Sequence, residues 1–349
     1  MAIYAYLFDA ENQDGQVKLE PPVIAAVGEK QLLWVDVSGD SPEELQKVAD
    51  LFSISPLLLQ AIRDRDGNLQ QSQRPRLDIY GDCFHLNLQA VQQRDDSEGE
   101  SDGVPEALRR GSMSAVRLVT VHFIVFANIV VSLHEHSAAF LDSFDRRIKG
   151  DTHLGGVDGP AFLGALLGWH ITGYFRALEV LEVEVDRIDD AALRLRHTRE
   201  ERDLLTDMVK LRRRLALIRR TLLPHREVYA TLTRPNFVPF VTGQATETLQ
   251  LVAARFERAI EATENGRELI LGSFEIFSTQ TALRTNEVVK ALTVISALLL
   301  PAGVIASLSS LFIRAPVYDL GRAGFWEVLA AMAIVGTGFI TFARKRNWV

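Results

Sequence analysis

Cysteine occurs once in the 349-residue chain, at Cys83, so no internal disulfide can brace it, and this usage is compatible with a reducing compartment. A basic leader is also missing. The opening "MAIYAYLFDAENQDG" has no Lys or Arg and reaches acid at Asp9, unlike a secretory signal, so the residues before the apolar stretches described next are expected to stay in the cytoplasm. Charge is missing from two long stretches: no Asp, Glu, Lys or Arg occurs from Ala291 to Ile313 or from Val328 to Ala343. Absent too are a Gly-rich phosphate loop, a nucleophile elbow and a zinc-protease helix, which leaves catalysis without sequence support.

What is present is uneven. The chain is 47% hydrophobic and 24% charged, with mean hydropathy +0.06, and its apolarity is concentrated in those two stretches. A helix crosses a hydrocarbon core with about 20 apolar residues, or about 17 at the short end. The first stretch meets this directly; the second meets it as 323–343, with Glu327 at the interface. Lys290 precedes the first span, and Arg344, Lys345 and Arg346 follow the second. Positive flanks favour the inner side, so both termini are expected in the cytoplasm and the segment 314–323 outside. The net charge of −7 argues against general nucleic-acid affinity.

Residues 1–155 alternate strand-like and helix-like segments, which predicts a mixed α/β domain. "LLWVDVSG" (32–39) is a short apolar run ending in Gly, and "DSPEELQKVADLF" (40–52) has a helix-start signature and helical spacing. "RLDIYGDCFHLNLQAV" alternates, with Phe84, Leu86 and Leu88 on one face; 115–136 reads as two strands joined at Ala127-Asn128. The polar, Gly-containing segment between them is expected to be a solvated hairpin loop. From about residue 156 the composition favours long helices. An apolar stripe from Thr246 leads toward the first span without a Pro before Pro301. As one helix of about 65 residues it would extend about 100 Å, and it would need partner helices to cover its stripe.

This order of parts resembles the CorA-type magnesium and divalent-metal transporter family. The resemblance is carried by "WVDVSGDSPEELQKVADLFSISPLLLQAI", "RPRLDIYGDCFHLNL", "VVSLHEH", "LRRRLALIRRTLLPHREVYATL", "RTNEVVKALTVISALLLP" and the terminal "ARKRNWV". It implies an α+β cytoplasmic domain (1–155), long cytoplasmic stalk helices (156–286) and a transmembrane region (287–349) with two C-terminal transmembrane helices. It further implies a funnel-shaped homopentamer in the inner membrane, no cofactor, no obligatory partner beyond its own copies and the lipid bilayer, and magnesium or another divalent cation as cargo.

Asn286, Val289, Thr293, Ser296, Leu300, Gly303 and Ser307 recur every three or four residues and so share one helix face. Amide and hydroxyl groups there alternate with apolar constrictions, for which Leu292 and Leu300 are the candidates. Five copies would form uncharged oxygen-bearing rings suited to a hydrated cation. Small and hydroxyl residues also let helices pack closely in lipid, a second reading of the same pattern. Pro301 is expected to loosen or kink the helix.

At the outer end the family's Gly-Met-Asn signature is replaced by Ser310, Leu311 and Phe312. Arg314 and Asp319 stand at the expected outer mouth, where a ring of Arg would repel divalent ions if it faced the axis. A non-conducting sensor or scaffold, or a pore for another cargo, are therefore alternatives. The pattern of the family's regulatory magnesium site is met only in part. Asp95 or Asp96 could supply one half, but Leu251 and Ala254 stand where stalk acids are expected. The imidazoles of His134 and His136 lack a visible third ligand and read as a strand-to-helix junction. The acids from Glu179 to Asp190 read as a solvated helix face, and "KLRRRLALIRR" as a charged inter-helix or lipid-phosphate contact.

Overall fold

The computed structural model describes residues 2–11, 14–39, 42–63, 74–93, 116–147, 153–194, 198–235, 237, 239, 241–311 and 322–345. Among them seven strands form one sheet: β1 (Ala2–Asp9), β2 (Gly15–Gln16), β3 (Gln31–Ser38), β4 (Arg76–Tyr80), β5 (Cys83–Gln93), β6 (Val116–Val125) and β7 (Ile129–His134). Their order is β2-β1-β3-β7-β6-β5-β4, and only the β3–β7 pair is parallel.

Helices cover both faces of this sheet, which explains the unbroken apolar run of β3. Leu33, Val35 and Val37 face one way, onto α2 (Pro42–Leu51) and α3 (Pro56–Arg63), in a core with Val48, Phe52 and Leu58. Trp34 points the other way. It packs on Phe144 of α4 (Ala139–Arg147) and Phe162 of α5 (Gly159–Leu193), with ring centroids 5.7 and 5.8 Å away. A short α1 (Pro21–Ala26) precedes β3. The alternating segment 76–91 is two strands, broken where Gly81 adopts φ +54°. Phe84, Leu86 and Leu88 are buried, but so are His85 and Asn87 on the opposite face. The second strand pair turns at Ala127-Asn128, as the sequence predicts. The polar segment 94–115 lies outside the described residues.

The long-helix region holds α5, α6 (Thr198–Leu222), α7 (His225–Leu232) and α8 (Gly243–Leu311), followed by α9 (Arg322–Lys345). Asp158 caps α5, its Oδ1 accepting from the Ala161 amide at 2.8 Å. Its other oxygen accepts from Thr242 Oγ1 at 2.5 Å, and Thr242 in turn caps α8. One hydrogen bond thus ties the starts of two long helices together. Gly159 cannot be replaced cheaply: its amide donates to Ala127 O at 2.6 Å, and a Cβ would sit 2.3 Å from Phe126 O. Leu178, Leu181 and Val185 of α5, Leu215 of α6, and Gly266 and Ile270 of α8 line one shared interior cleft.

By contact density the chain forms two units. One comprises Met1–Ile188 and Arg202–Gly272, the other Asp189–Glu201 and Ser273–Val349. In the second, Arg284 Nη1 of α8 lies 3.9 Å from a carboxylate oxygen of Glu201, and Gly336 of α9 packs against Leu298. The 69-residue α8 passes through Pro301 without ending. The ring of Pro301 removes one backbone donor, a defect that a single turn tolerates when its neighbours hold the helix.

Candidate ion-conducting helix

α8 is the one described helix long and apolar enough to cross a membrane; a shorter apolar stretch, Val328–Thr341, lies in α9. None of the apolar window of α8 is buried within the chain. Leu292, Leu299 and Leu300 are each more than 60% exposed, as is Ile334 of α9. Leaving such a surface in water costs roughly 25 cal/mol per Å², so its partner is lipid or other protein.

Asn286, Val289, Leu292, Ser296, Leu300, Gly303 and Ser307 all lie exposed along α8. At 3.6 residues per turn they fall within an arc of roughly 120°, with Leu292 at its edge. Thr293 shares the arc. Its hydroxyl donates to the Val289 carbonyl at 2.7 Å, which leaves only lone pairs to present sideways. The arc therefore carries an amide, hydroxyls, Gly and apolar side chains, with no formal charge between Lys290 and the end of α8. Such a surface can exchange hydrogen bonds with a water shell but cannot strip it.

Ser310 and Leu311 belong to the last turn of α8, and nothing is described of their side chains. Phe312, Arg314 and Asp319 lie outside the described residues, as do Asp95 and Asp96. Leu251 is 67% exposed and Ala254 is exposed too, so this stalk face offers no carboxylate at either position.

In the sheet domain, His134 is buried, paired with Asp36 and bonded to the His136 carbonyl, while the His136 ring turns to Glu135, 3.6 Å away. A second imidazole pair, His85 and His122, stacks with 3.1 Å between ring nitrogens. Burial lowers the pKa of His85 to about 4, with Arg76 adding a little. Among the described residues no three His, Cys, Asp or Glu side chains converge as metal ligands.

Sequence reasoning missed a buried polar knot around Gln89. His170 Nε2 and the Tyr174 hydroxyl both donate to the Gln89 carbonyl, at 2.9 and 2.7 Å. The Gln89 amide donates to His225 Nε2 at 3.0 Å, and the Tyr229 hydroxyl meets His170 Nδ1 at 3.2 Å. The available signal was a His and a Tyr four residues apart, occurring twice, at 170/174 and 225/229.

A family model described as CorA-like Mg2+ transporter protein matches residues 29–345. The chain belongs to that family. The match runs from β3 through the rest of the sheet domain, the long helices and both apolar helices, leaving out only β1, β2 and α1, so it extends well beyond one motif. Among curated relatives, the cobalt/magnesium transport protein CorA of Thermotoga maritima is 22% identical over 319 residues, covering 90% of this chain and 83% of that protein. The zinc transport protein ZntB of Yersinia enterocolitica is 20% identical over 356 residues, covering 100% and 96%. Among solved structures, the complete CorA magnesium transporter of Methanocaldococcus jannaschii superposes with a TM-score of 0.72 at 19% identity, with 100% of each chain covered. The CorA-like fold is thus established for the chain from sheet to last helix.

Proposed function

We propose that this protein transports divalent metal cations across a membrane through a pore lined by α8. The observation that carries the reading is the exposed, charge-free face from Asn286 to Ser307, set on an apolar helix within a family of metal-ion transporters. A homopentamer would bring five such faces around one axis. Asn286 would form the inner amide ring, Leu292 and Leu300 the dry constrictions, and Ser296 and Ser307 the hydroxyl rings. A hydrated cation would pass by exchanging hydrogen bonds between its water shell and these rings, without covalent chemistry or cofactor. The chain would sit in the inner membrane with both termini cytoplasmic. It would comprise a sheet domain (1–155), stalk (156–286) and membrane region (287–349), with lipid and its own copies as partners.

Magnesium is the first cargo to test, because the family description names it; zinc and cobalt follow from the names of the relatives. A second reading, a non-conducting sensor or scaffold, draws its support from Ser310-Leu311-Phe312 at the outer end, where no amide is available. Flux into proteoliposomes, compared for magnesium, zinc, cobalt and nickel, separates the two. Uptake of at least one ion above protein-free vesicles supports transport; none for any ion sinks it.

A further inference from the structure

Two helices of the cytoplasmic unit turn outward faces built on the same spacing but of opposite charge. On α5 the face is Glu179, Glu182, Val183 and Asp186, all exposed. On α6 it is Val209, Arg212, Arg213, Ala216 and Arg220, again all exposed. Each follows the i, i+3, i+4, i+7 rule of a single helix stripe. From Met208 to Leu222 the helix carries six basic residues and no acid.

Charged neighbours on these helices find partners within the chain. Glu184 pairs with Arg187 at 2.9 Å, Lys210 with Asp207 at 2.9 Å, and Arg219 with Glu264 at 2.8 Å. The three carboxylates and three guanidiniums of the two stripes do not. Among the described residues none of the six is in an ion pair. Each stripe also holds a valine, and Val183 is 64% exposed.

We propose that the acidic α5 stripe of one copy docks on the basic α6 stripe of the next, so that the surface is an interface with a second copy of this chain. Neither stripe can pair with itself about a two-fold axis, because like charges would meet. Made once between each copy and the next, acid on base, the contact is heterologous, the kind that generates closed rings; a reciprocal two-fold exchange would instead use both stripes of each copy and stop at a dimer. Exposed ion pairs contribute little strength, so this contact sets register and ring direction while apolar surface elsewhere supplies affinity. The inference rests on the homo-oligomeric reading above.

Cys83 is buried, which makes single-cysteine crosslinking of the full-length protein practical. Two differently tagged chains, R213C and D186C, are co-assembled in detergent and treated with a short bis-maleimide, with native mass measured in parallel. The expected result is a crosslinked product carrying both tags, absent from either variant alone. Adding R212E/R220E to the R213C chain lowers its yield by about tenfold, and E179K/E182K in the D186C chain restores it. No mixed product at unchanged multimeric mass overturns the contact and leaves the multimer standing. Crosslinks between two R213C chains overturn it in favour of a contact between like stripes, and a dimeric mass overturns the ring in favour of reciprocal two-fold pairing. Shielding of R213C from maleimide only in vesicles containing anionic lipid overturns it in favour of a lipid surface. A monomeric mass overturns both the contact and the multimer.

Discussion

His134 Nε2 lies 3.2 Å from each carboxylate oxygen of Asp36, and His134 Nδ1 lies 2.8 Å from the His136 carbonyl. A carboxylate and a carbonyl are both acceptors, so this setting favours the imidazolium form of the ring. Asp36 also accepts from the Ser132 hydroxyl, which in turn receives the Trp34 Nε1 hydrogen at 3.0 Å. The chain of bonds crosses from β3 to β7, the one parallel pair of the sheet, and ends at the connection into α4.

Burial by itself would lower the His134 pKa, but the hydrogen bond and charge of Asp36, helped by the His136 carbonyl and Asp142, raise it. Folding therefore increases the proton affinity of this group. Its contribution is complete below the ordinary histidine value of about 6.5 and is lost as pH rises through the higher folded-state value. Replacing His134 with Gln is expected to cost about 1.5–3 kcal/mol in that lower range. The difference in melting temperature between wild type and H134Q should shrink toward pH 9; a gap that stays constant would count against the imidazolium.

The knot at Gln89 predicts the opposite pH dependence. Burial lowers the His170 pKa to about 4, even though the Gln89 carbonyl favours the proton. His225 is driven well below its ordinary value by burial and by its neighbour His170. A proton on His225 Nε2 would face the Gln89 amide donor, so acid breaks this tie between β5 and α7. Stability from these groups is full above about pH 6.5 and falls as pH drops toward about 4, by on the order of 3 kcal/mol for His170. Chemical denaturation of wild type and H170Q at pH 7.5 and 4.5 tests this. The wild type should lose more stability on acidification than the variant does.

Much of this fold is legible in sequence because its patterns are local. The double-sided burial of Leu32 to Val37, the turn at Ala127-Asn128 and the length of α8 follow from periodicity and the placement of Pro and Gly. The knot at Gln89 is not local: it joins residues 85 and 136 positions apart, and no spacing rule reports such a meeting. The exposed face of α8 is legible as a stripe, whereas the pore proposed for it would need neighbouring copies, which spacing within one chain does not report. The opposite stripes on α5 and α6 were visible as charge runs. Their equivalence needed the burial of the other helix faces before it could be seen.

Gly159 supplies a stability prediction that involves no charge. A methyl group there would lie 2.3 Å from the Phe126 carbonyl oxygen, a backbone atom that cannot swing aside, and would press apart the hydrogen bond to Ala127. Gly159→Ala is therefore expected to destabilise the sheet-bearing unit by about 2–3 kcal/mol. Gly168→Ala, in the same helix and with open space at its Cβ, should instead be neutral or slightly stabilising. Urea unfolding followed by circular dichroism compares the two. Equal losses would mean that the close approach of α5 to the β6–β7 turn is not as tight as described.

The outer end of the proposed pore yields the test most directly tied to cargo. The ion-recognising Asn that the family resemblance implies corresponds here to Phe312, which presents a ring in place of an amide. If that position faces the axis, five Asn side chains would offer the outward-pointing hydrogens of a hydrated cation a ring of acceptors that five phenyl rings cannot. Phe312→Asn is therefore expected to raise magnesium flux into proteoliposomes by about tenfold, equivalent to about 1.4 kcal/mol of barrier. Leu300→Ala, which would widen the dry constriction proposed deeper in the helix, should raise flux with less discrimination among magnesium, zinc, cobalt and nickel. A Phe312→Asn protein that assembles normally but conducts no more magnesium than wild type would remove Phe312 from the permeation path. Gain of flux in Leu300→Ala alone would place the limiting barrier at the apolar constriction.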